Sequence, residues 1–130
     1  MKIEQKSPNR DELKMLFHQI GSEERLRLIL RDFYSRMASD ILVGFFFINK
    51  NPETVADKQV GFLMRAMGQS PTYRGKSPAK AHEDLPPILA GHFDRRLKIL
   101  EATLREHGIP EEAIQLWVRF EGSFRAGIVG

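Results

Sequence analysis

Apolar residues recur at helical spacing along most of the chain, and this pattern constrains the fold more than any other feature. The clearest stripe is Leu26, Ile29, Leu30, Phe33 and Met37. Steps of three and four residues place these side chains on one face of an α-helix. No segment alternates apolar and polar residues as a half-buried strand would. The sequence therefore predicts an all-α fold.

Capping and turn signals divide the chain into six predicted helices. Ser22 is a good N-cap, Pro52 suits the first position of a helix, and Gly108 ends one. Residues 1–10 look like an irregular lead-in, and helix-breaking residues such as glycine and proline are frequent in residues 68–90. The approximate helix bounds are 11–19, 22–38, 52–67, 79–84, 91–106 and 110–128.

Length and composition narrow the class of protein. A chain of 130 residues has room for one domain with one hydrophobic core. It contains no cysteine, so any metal must be held by histidine or carboxylates. The net charge of +3 comes from scattered bases, which argues against nucleic-acid binding. The apolar run at residues 41–48 is too short to span a membrane, and no secretory signal is visible, so we expect a cytoplasmic protein.

Two polar residues lie where the helical pattern predicts apolar ones. Gln59 lies four residues from both Val55 and Leu63, and Tyr34 lies at the edge of the apolar face of its own helix. Burying an amide without a partner costs about 2 kcal/mol or more. The two side chains either bond to each other and merely satisfy the core, or they face a polar ligand in a cavity.

His82 lies in the breaker-rich segment, next to the small residues Ala79 and Ala81. By itself it could be an ordinary surface or hydrogen-bonded histidine. One imidazole beside a wide apolar pocket can also hold a haem, whereas a zinc site needs several ligands. The other histidines are not spaced as a cluster of metal ligands would be; they are His18, His92 and His107.

The sequence resembles the truncated haemoglobins from about Leu26 to Ile128. The matching segments follow the family's order and are 32–34 (Asp-Phe-Tyr), 42–46 (ending Phe-Phe), 58–63 (Lys-Gln-Val-Gly-Phe-Leu), 73–75 (Tyr-Arg-Gly), 81–82 (Ala-His) and 92–94 (His-Phe-Asp). The resemblance implies an abbreviated globin fold over residues 1–130, a two-over-two helical sandwich around a haem. Features of different subgroups occur together, so the subgroup is left open.

By this resemblance His82 is the proximal iron ligand and Phe46 wedges against the porphyrin. Tyr34 and Gln59 form the distal pair, which donates hydrogen bonds to a partially negative dioxygen ligand. The residues implied as apolar lining, each of which could equally be plain core, are Val55, Phe62, Leu63, Met67, Leu97, Leu116 and Phe120. Candidates to reach a haem propionate are Tyr73, Lys76 and Lys80, and the alternative for each is an ordinary solvated surface position.

Two residues leave the predicted haem site open at particular points: Arg96 departs from the family pattern, and Lys58 is a possible additional iron ligand. Arg96 stands where other subgroups place a tryptophan or an aliphatic residue, and it could run out to solvent or pair with a propionate. Lys58 stands where a few members supply an internal sixth ligand; the alternative is a solvent-facing lysine. No histidine follows His107, so the covalent haem link made from the last helix in some members is impossible here.

The implied function is reversible binding of dioxygen, nitric oxide and carbon monoxide at a non-covalent, His-ligated haem b (iron protoporphyrin IX), kept reduced by an unidentified reductase. One alternative is an enzyme, either a nitric oxide dioxygenase that converts nitric oxide and dioxygen to nitrate or another haem redox enzyme. A second is a haem-free helical interaction module.

Overall fold

The computed structural model describes residues 7–69 and 85–130, and these two ranges are mainly helical. The helices are α1 (Arg10–Ile20), α2 (Glu23–Ser39), α3 (Pro52–Ala66), α4 (Ala90–Glu106), α5 (Glu111–Gly122) and α6 (Arg125–Ile128), with a 3₁₀ turn at Gly44–Phe47. The described residues contain no β-strand, only an isolated parallel bridge between Ile88 and Val129. The predicted all-α class is confirmed.

Local hydrogen bonds explain why the helices begin where they do. The Ser22 hydroxyl accepts a hydrogen bond of 3.1 Å from the amide of Arg25, so the predicted N-cap of α2 is confirmed. Pro52 is the first residue of α3, and the side chain of Asn51 caps that helix. Asn9 and Glu12 form a capping box that starts α1 at Arg10, within the predicted lead-in.

The sequence predicts one continuous final helix over 110–128, and this prediction is wrong. It divides into α5 and α6, because the chain leaves the helix after Gly122. At the break, the Ser123 hydroxyl donates a hydrogen bond of 2.6 Å to the carbonyl of Phe120. The short helix predicted around Ala79–Asp84 lies outside the described residues.

The apolar run after α2 forms the 3₁₀ turn, and this turn requires a glycine. A Cβ atom on Gly44 would lie 2.6 Å from the carbonyl oxygen of Ala38, which belongs to α2. The turn therefore packs directly on the end of α2. This close approach sets the position from which Phe46 and Phe47 project.

Two pairs of helices build the core. α2 packs against α3 and also against α4, while α4 packs against α5 and α1 packs against α5. The largest fully buried side chains include Phe33 of α2, Phe93 of α4 and Trp117 of α5. The α2–α3 pair lies against the α4–α5 pair, as a two-over-two sandwich requires. No helix within the described ranges is long and apolar enough to cross a membrane.

Candidate functional site

α3 carries two neighbouring apolar stripes that differ in how completely they are covered. The first is buried in the core and consists of Ala56, Val60, Leu63 and Met64. The second, on the adjacent face, is only half-buried and consists of Val55, Gln59, Phe62 and Ala66. Its steps of four, three and four residues keep it on one side of the helix. The described helices thus leave a mainly apolar face of α3 incompletely covered.

Gln59 lies in this second stripe. The sequence predicted a buried amide, but the structure shows a half-buried one, because the described helices do not cover this face completely. Among the described residues, the Gln59 side chain forms no hydrogen bond. The Tyr34–Gln59 bond that the sequence left open is therefore not formed, and the amide can serve a ligand or water.

Tyr34 is buried, with 5% of its surface exposed. Its hydroxyl oxygen accepts two long hydrogen bonds from Arg96, of 3.4 Å from Nη1 and 3.5 Å from Nη2. Its ring contacts Phe33 and Phe47, with centroid separations of 4.9 Å and 6.0 Å. Burial raises the pKa of the Tyr34 phenol, and the opposing effect of the Arg96 charge is smaller. The phenol therefore stays protonated at neutral pH.

Arg96 does not run out to solvent. Its side chain is 18% exposed, and its Nη2 lies 2.9 Å from Oε2 of Glu121, which is itself 9% exposed. The other oxygen of Glu121 accepts a hydrogen bond of 3.3 Å from the indole nitrogen of Trp117. Burial lowers the pKa of Arg96, but the Glu121 carboxylate and the Tyr34 oxygen more than offset this, so the pKa is raised overall. The guanidinium is a partly buried, permanent cation.

Glu121 was missed by the sequence reasoning, although a signal was present. It lies four residues beyond Trp117 and three before Phe124, so it interrupts an apolar stripe in the same way as Gln59 does. A carboxylate in such a position needs a cationic partner when it is buried. The periodicity of α5 alone does not show that the partner is Arg96 of α4.

The predicted apolar lining divides by burial. Leu63, Met67, Leu116 and Phe120 are buried, whereas Phe46, Val55, Phe62 and Leu97 are half-buried. Phe62, Phe120 and Phe124 form an aromatic cluster with centroid separations between 5.1 Å and 6.1 Å. Phe46 packs edge-on against His92 at 5.2 Å. Half-buried aromatic and aliphatic side chains are suited to contact a large apolar ligand.

The remaining candidates lie at the surface or outside the described residues. Lys58 is exposed, which agrees with the solvent-facing alternative. His82, Tyr73, Lys76 and Lys80 lie outside the described residues. A depression of about 250 Å³ on the surface of α2 and α4 contains none of the predicted site residues; it is lined by Arg36, Asp40, Arg95, Lys98, Ile99 and Ala102.

Comparisons with known proteins agree with this architecture. The model of the bacterial-like globin family matches residues 15–122. The group 1 truncated hemoglobin of Tetrahymena thermophila is 31% identical over 99 residues, covering 76% of this chain and 81% of that protein. The crystal structure of truncated hemoglobin from Tetrahymena pyriformis in its Fe(III) form has a TM-score of 0.80 at 26% identity, covering 88% of this chain and 97% of that one.

A further solved structure supports the fold alone, because its sequence is less than 25% identical to this chain. It is the 2/2 hemoglobin from Synechococcus sp. PCC 7002 in the cyanomet state with covalently attached heme, with a TM-score of 0.79 at 24% identity, covering 88% of this chain and 97% of that chain. The helices are thus those of a haem-binding globin of the abbreviated, two-over-two kind. The chain belongs to the truncated haemoglobin family.

Proposed function

We propose that this globin binds one haem b non-covalently, with His82 as the iron ligand, and that it reversibly binds dioxygen and other diatomic molecules such as nitric oxide and carbon monoxide. Membership of the truncated haemoglobin family supports the haem. The half-buried apolar face of α3 is the structural observation that carries the proposal.

The described residues fit a haem at this face. A porphyrin is wide, flat and mainly apolar, so it needs apolar side chains that the rest of the protein leaves incompletely covered. Val55 and Phe62 of α3 are of this kind, and the aromatic cluster extends from Phe62 to Phe120 and Phe124. Gln59 is the one polar residue on the stripe. A ligand bound beside this face would meet a single amide among apolar neighbours.

The resemblance of residues 81–82 and family membership support the assignment of His82. A non-covalent haem is supported by the sequence of the last helices, since α5 and α6 contain no histidine that could form a covalent link. The covalently attached heme of the Synechococcus protein is therefore not transferred to this chain.

Tyr34 is suited to donate a hydrogen bond to the small ligand. The haem iron, when bound, supplies the coordination position that such a ligand occupies. The Tyr34 oxygen accepts from Arg96, and the part of the chain that the structure describes offers its proton no acceptor. That proton is free to stabilise partial negative charge on dioxygen, and the Gln59 amide can add a second donor.

The proposal is tested by His82→Ala. We expect this variant to lose haem on gel filtration, because it removes the one side chain proposed to bind the iron. The measurement is the ratio of haem to protein, taken from the Soret and pyridine-haemochrome absorbance. His18→Ala is the matched control, since His18 is an exposed residue of α1, and it should keep its haem. An unchanged ratio in His82→Ala would contradict the assignment.

A further inference from the structure

We propose that Arg96, held in place by Glu121, is a positioning residue that keeps the Tyr34 hydroxyl oriented as a donor toward the small ligand. This inference rests on the proposed function, because it assumes that Tyr34 faces the ligand. It assigns a role to Arg96, for which the sequence left two alternatives open.

The chemistry of arginine determines how the Tyr34 hydroxyl is used. A guanidinium carries only donors, so the two nitrogens of Arg96 at 3.4 Å and 3.5 Å can interact only with the lone pairs of the Tyr34 oxygen. The hydroxyl proton must then point away from Arg96. Removing Arg96 would free the hydroxyl to rotate, and part of the population would no longer donate to the ligand.

The position of Arg96 is itself fixed by three kinds of contact. Its Nη2 pairs with Glu121 at 2.9 Å, and its Cζ lies 4.9 Å from the ring centroid of Phe33 and 5.6 Å from that of Tyr34. Glu121 in turn accepts from Trp117 at 3.3 Å, so both carboxylate oxygens are engaged. The guanidinium is held against the tyrosine by charge, by hydrogen bonding and by cation–π contact.

Stability alone gives little reason for an ion pair at this place. Replacing a buried pair with well-packed apolar residues is often neutral or stabilising in proteins. A role in orienting Tyr34 explains why the cation sits against the phenol oxygen. Burial, together with Glu121, outweighs Arg96 and keeps the pKa of Tyr34 raised, so the phenol retains the proton that it would donate.

The test is a double-mutant cycle on Arg96 and Tyr34 in the haem-loaded protein. Tyr34→Phe should speed dioxygen release by about tenfold or more, the loss expected for one hydrogen bond to a charged acceptor. Arg96→Met should speed release severalfold in the chain that has Tyr34, but should change it little in the Tyr34→Phe background. Stopped-flow absorbance measures these rates.

Infrared spectra of the carbon monoxide complexes give a readout that a purely structural role would not move. Loss of a donor near the ligand raises the carbon monoxide stretching frequency. Arg96→Met should therefore shift the band toward that of Tyr34→Phe or split it, and Arg96→Lys should restore part of the parent band. The control is Arg95→Met, because Arg95 is an exposed neighbour on α4 that pairs with Asp40; it should leave the band unchanged.

The outcomes separate this inference from the proposed function. If Tyr34→Phe does not alter release, the distal role of Tyr34 fails and this inference fails with it, whereas haem binding is judged by His82→Ala. If Tyr34→Phe speeds release but Arg96→Met acts equally in both backgrounds, only the positioning role is overturned. Should Arg96→Met fail to retain haem, Glu121→Gln replaces it. That variant keeps the shape of Glu121 but removes the charge that holds Arg96, and a band shift supports the role while an unshifted band contradicts it.

Discussion

Arg96 and Glu121 place one full positive and one full negative charge between α4 and α5, largely away from water. Each charge is tolerated because the other is present, and because Trp117 and Tyr34 form further hydrogen bonds with the pair. The effect on the free energy of unfolding depends on whether one partner or both are removed. Removing one partner leaves the other charge without a counter-charge, whereas replacing both with apolar residues changes only the packing.

We expect Glu121→Leu to lower the free energy of unfolding by about 3 to 5 kcal/mol, because it leaves the Arg96 cation buried without a counter-charge. The double variant Arg96→Met with Glu121→Leu should recover most of that loss. Urea unfolding followed by circular dichroism measures both. The control is Glu111→Leu, which removes an exposed partner of Arg105 and should cost at most about 1 kcal/mol. Equal losses in the single and double variants would show that the pair is not coupled.

The elements of the fold differ in how far the sequence could predict them. The starts of α2 and α3 were predictable because their signals, Ser22 and Pro52, are local. The break after α5 was not, since apolar spacing continues through Phe124 and Ile128 although the helix ends at Gly122. Helical periodicity records which face is apolar, but it does not record where a helix stops.

The candidate site shows the same division. Tyr34 and Gln59 could be selected because a polar residue on an apolar stripe is visible in one helix. The partners of Tyr34 could not, because Arg96 lies 62 residues away and the contact depends on how α2 and α4 cross. The degree of exposure of Gln59 was likewise a property of the neighbouring helices, not of α3.

The 3₁₀ turn gives a prediction about an element. Gly44→Ala should lower the free energy of unfolding by about 1 to 3 kcal/mol, because the new Cβ would meet the Ala38 carbonyl oxygen at 2.6 Å and that oxygen is backbone. Gly61→Ala is the matched control. Gly61 lies within α3 with open space around it, so alanine should instead stabilise the helix by up to about 1 kcal/mol. The same sign in both variants would show that the close approach is not tight.

At the scale of the whole molecule, ion pairs between elements connect the helices. Arg31 and Arg27 of α2 contact Asp57 of α3, and Arg95 of α4 contacts Asp40 at the end of α2. The Arg95 guanidinium holds the pKa of Asp40 below its usual range, and Arg31 does the same for Asp57. Protonation of Asp40 would weaken a contact between α2 and α4, and protonation of Asp57 would weaken a contact between α2 and α3.

This linkage fixes the sign of the pH dependence. A carboxyl whose pKa is lower in the folded chain than in the unfolded chain stabilises the fold above its unfolded pKa of about 4, and the benefit is lost as the pH falls through the folded value. We therefore expect the urea midpoint to drop between about pH 5 and about pH 2. Asp40→Asn should show a smaller drop than the parent, since one contributing group is gone. Identical pH profiles would contradict a contribution from Asp40.

Trp117 is the only tryptophan of the chain, and it is fully buried where α5 meets the core. Its indole nitrogen donates to Glu121, so two hydrogen bonds connect Trp117 to Arg96 and three connect it to the Tyr34 hydroxyl. The protein therefore carries its own fluorophore beside its buried charges. A haem bound close by would quench this emission by energy transfer, and rearrangement of the carboxylate would shift its wavelength. Both events could be followed in real time without a label.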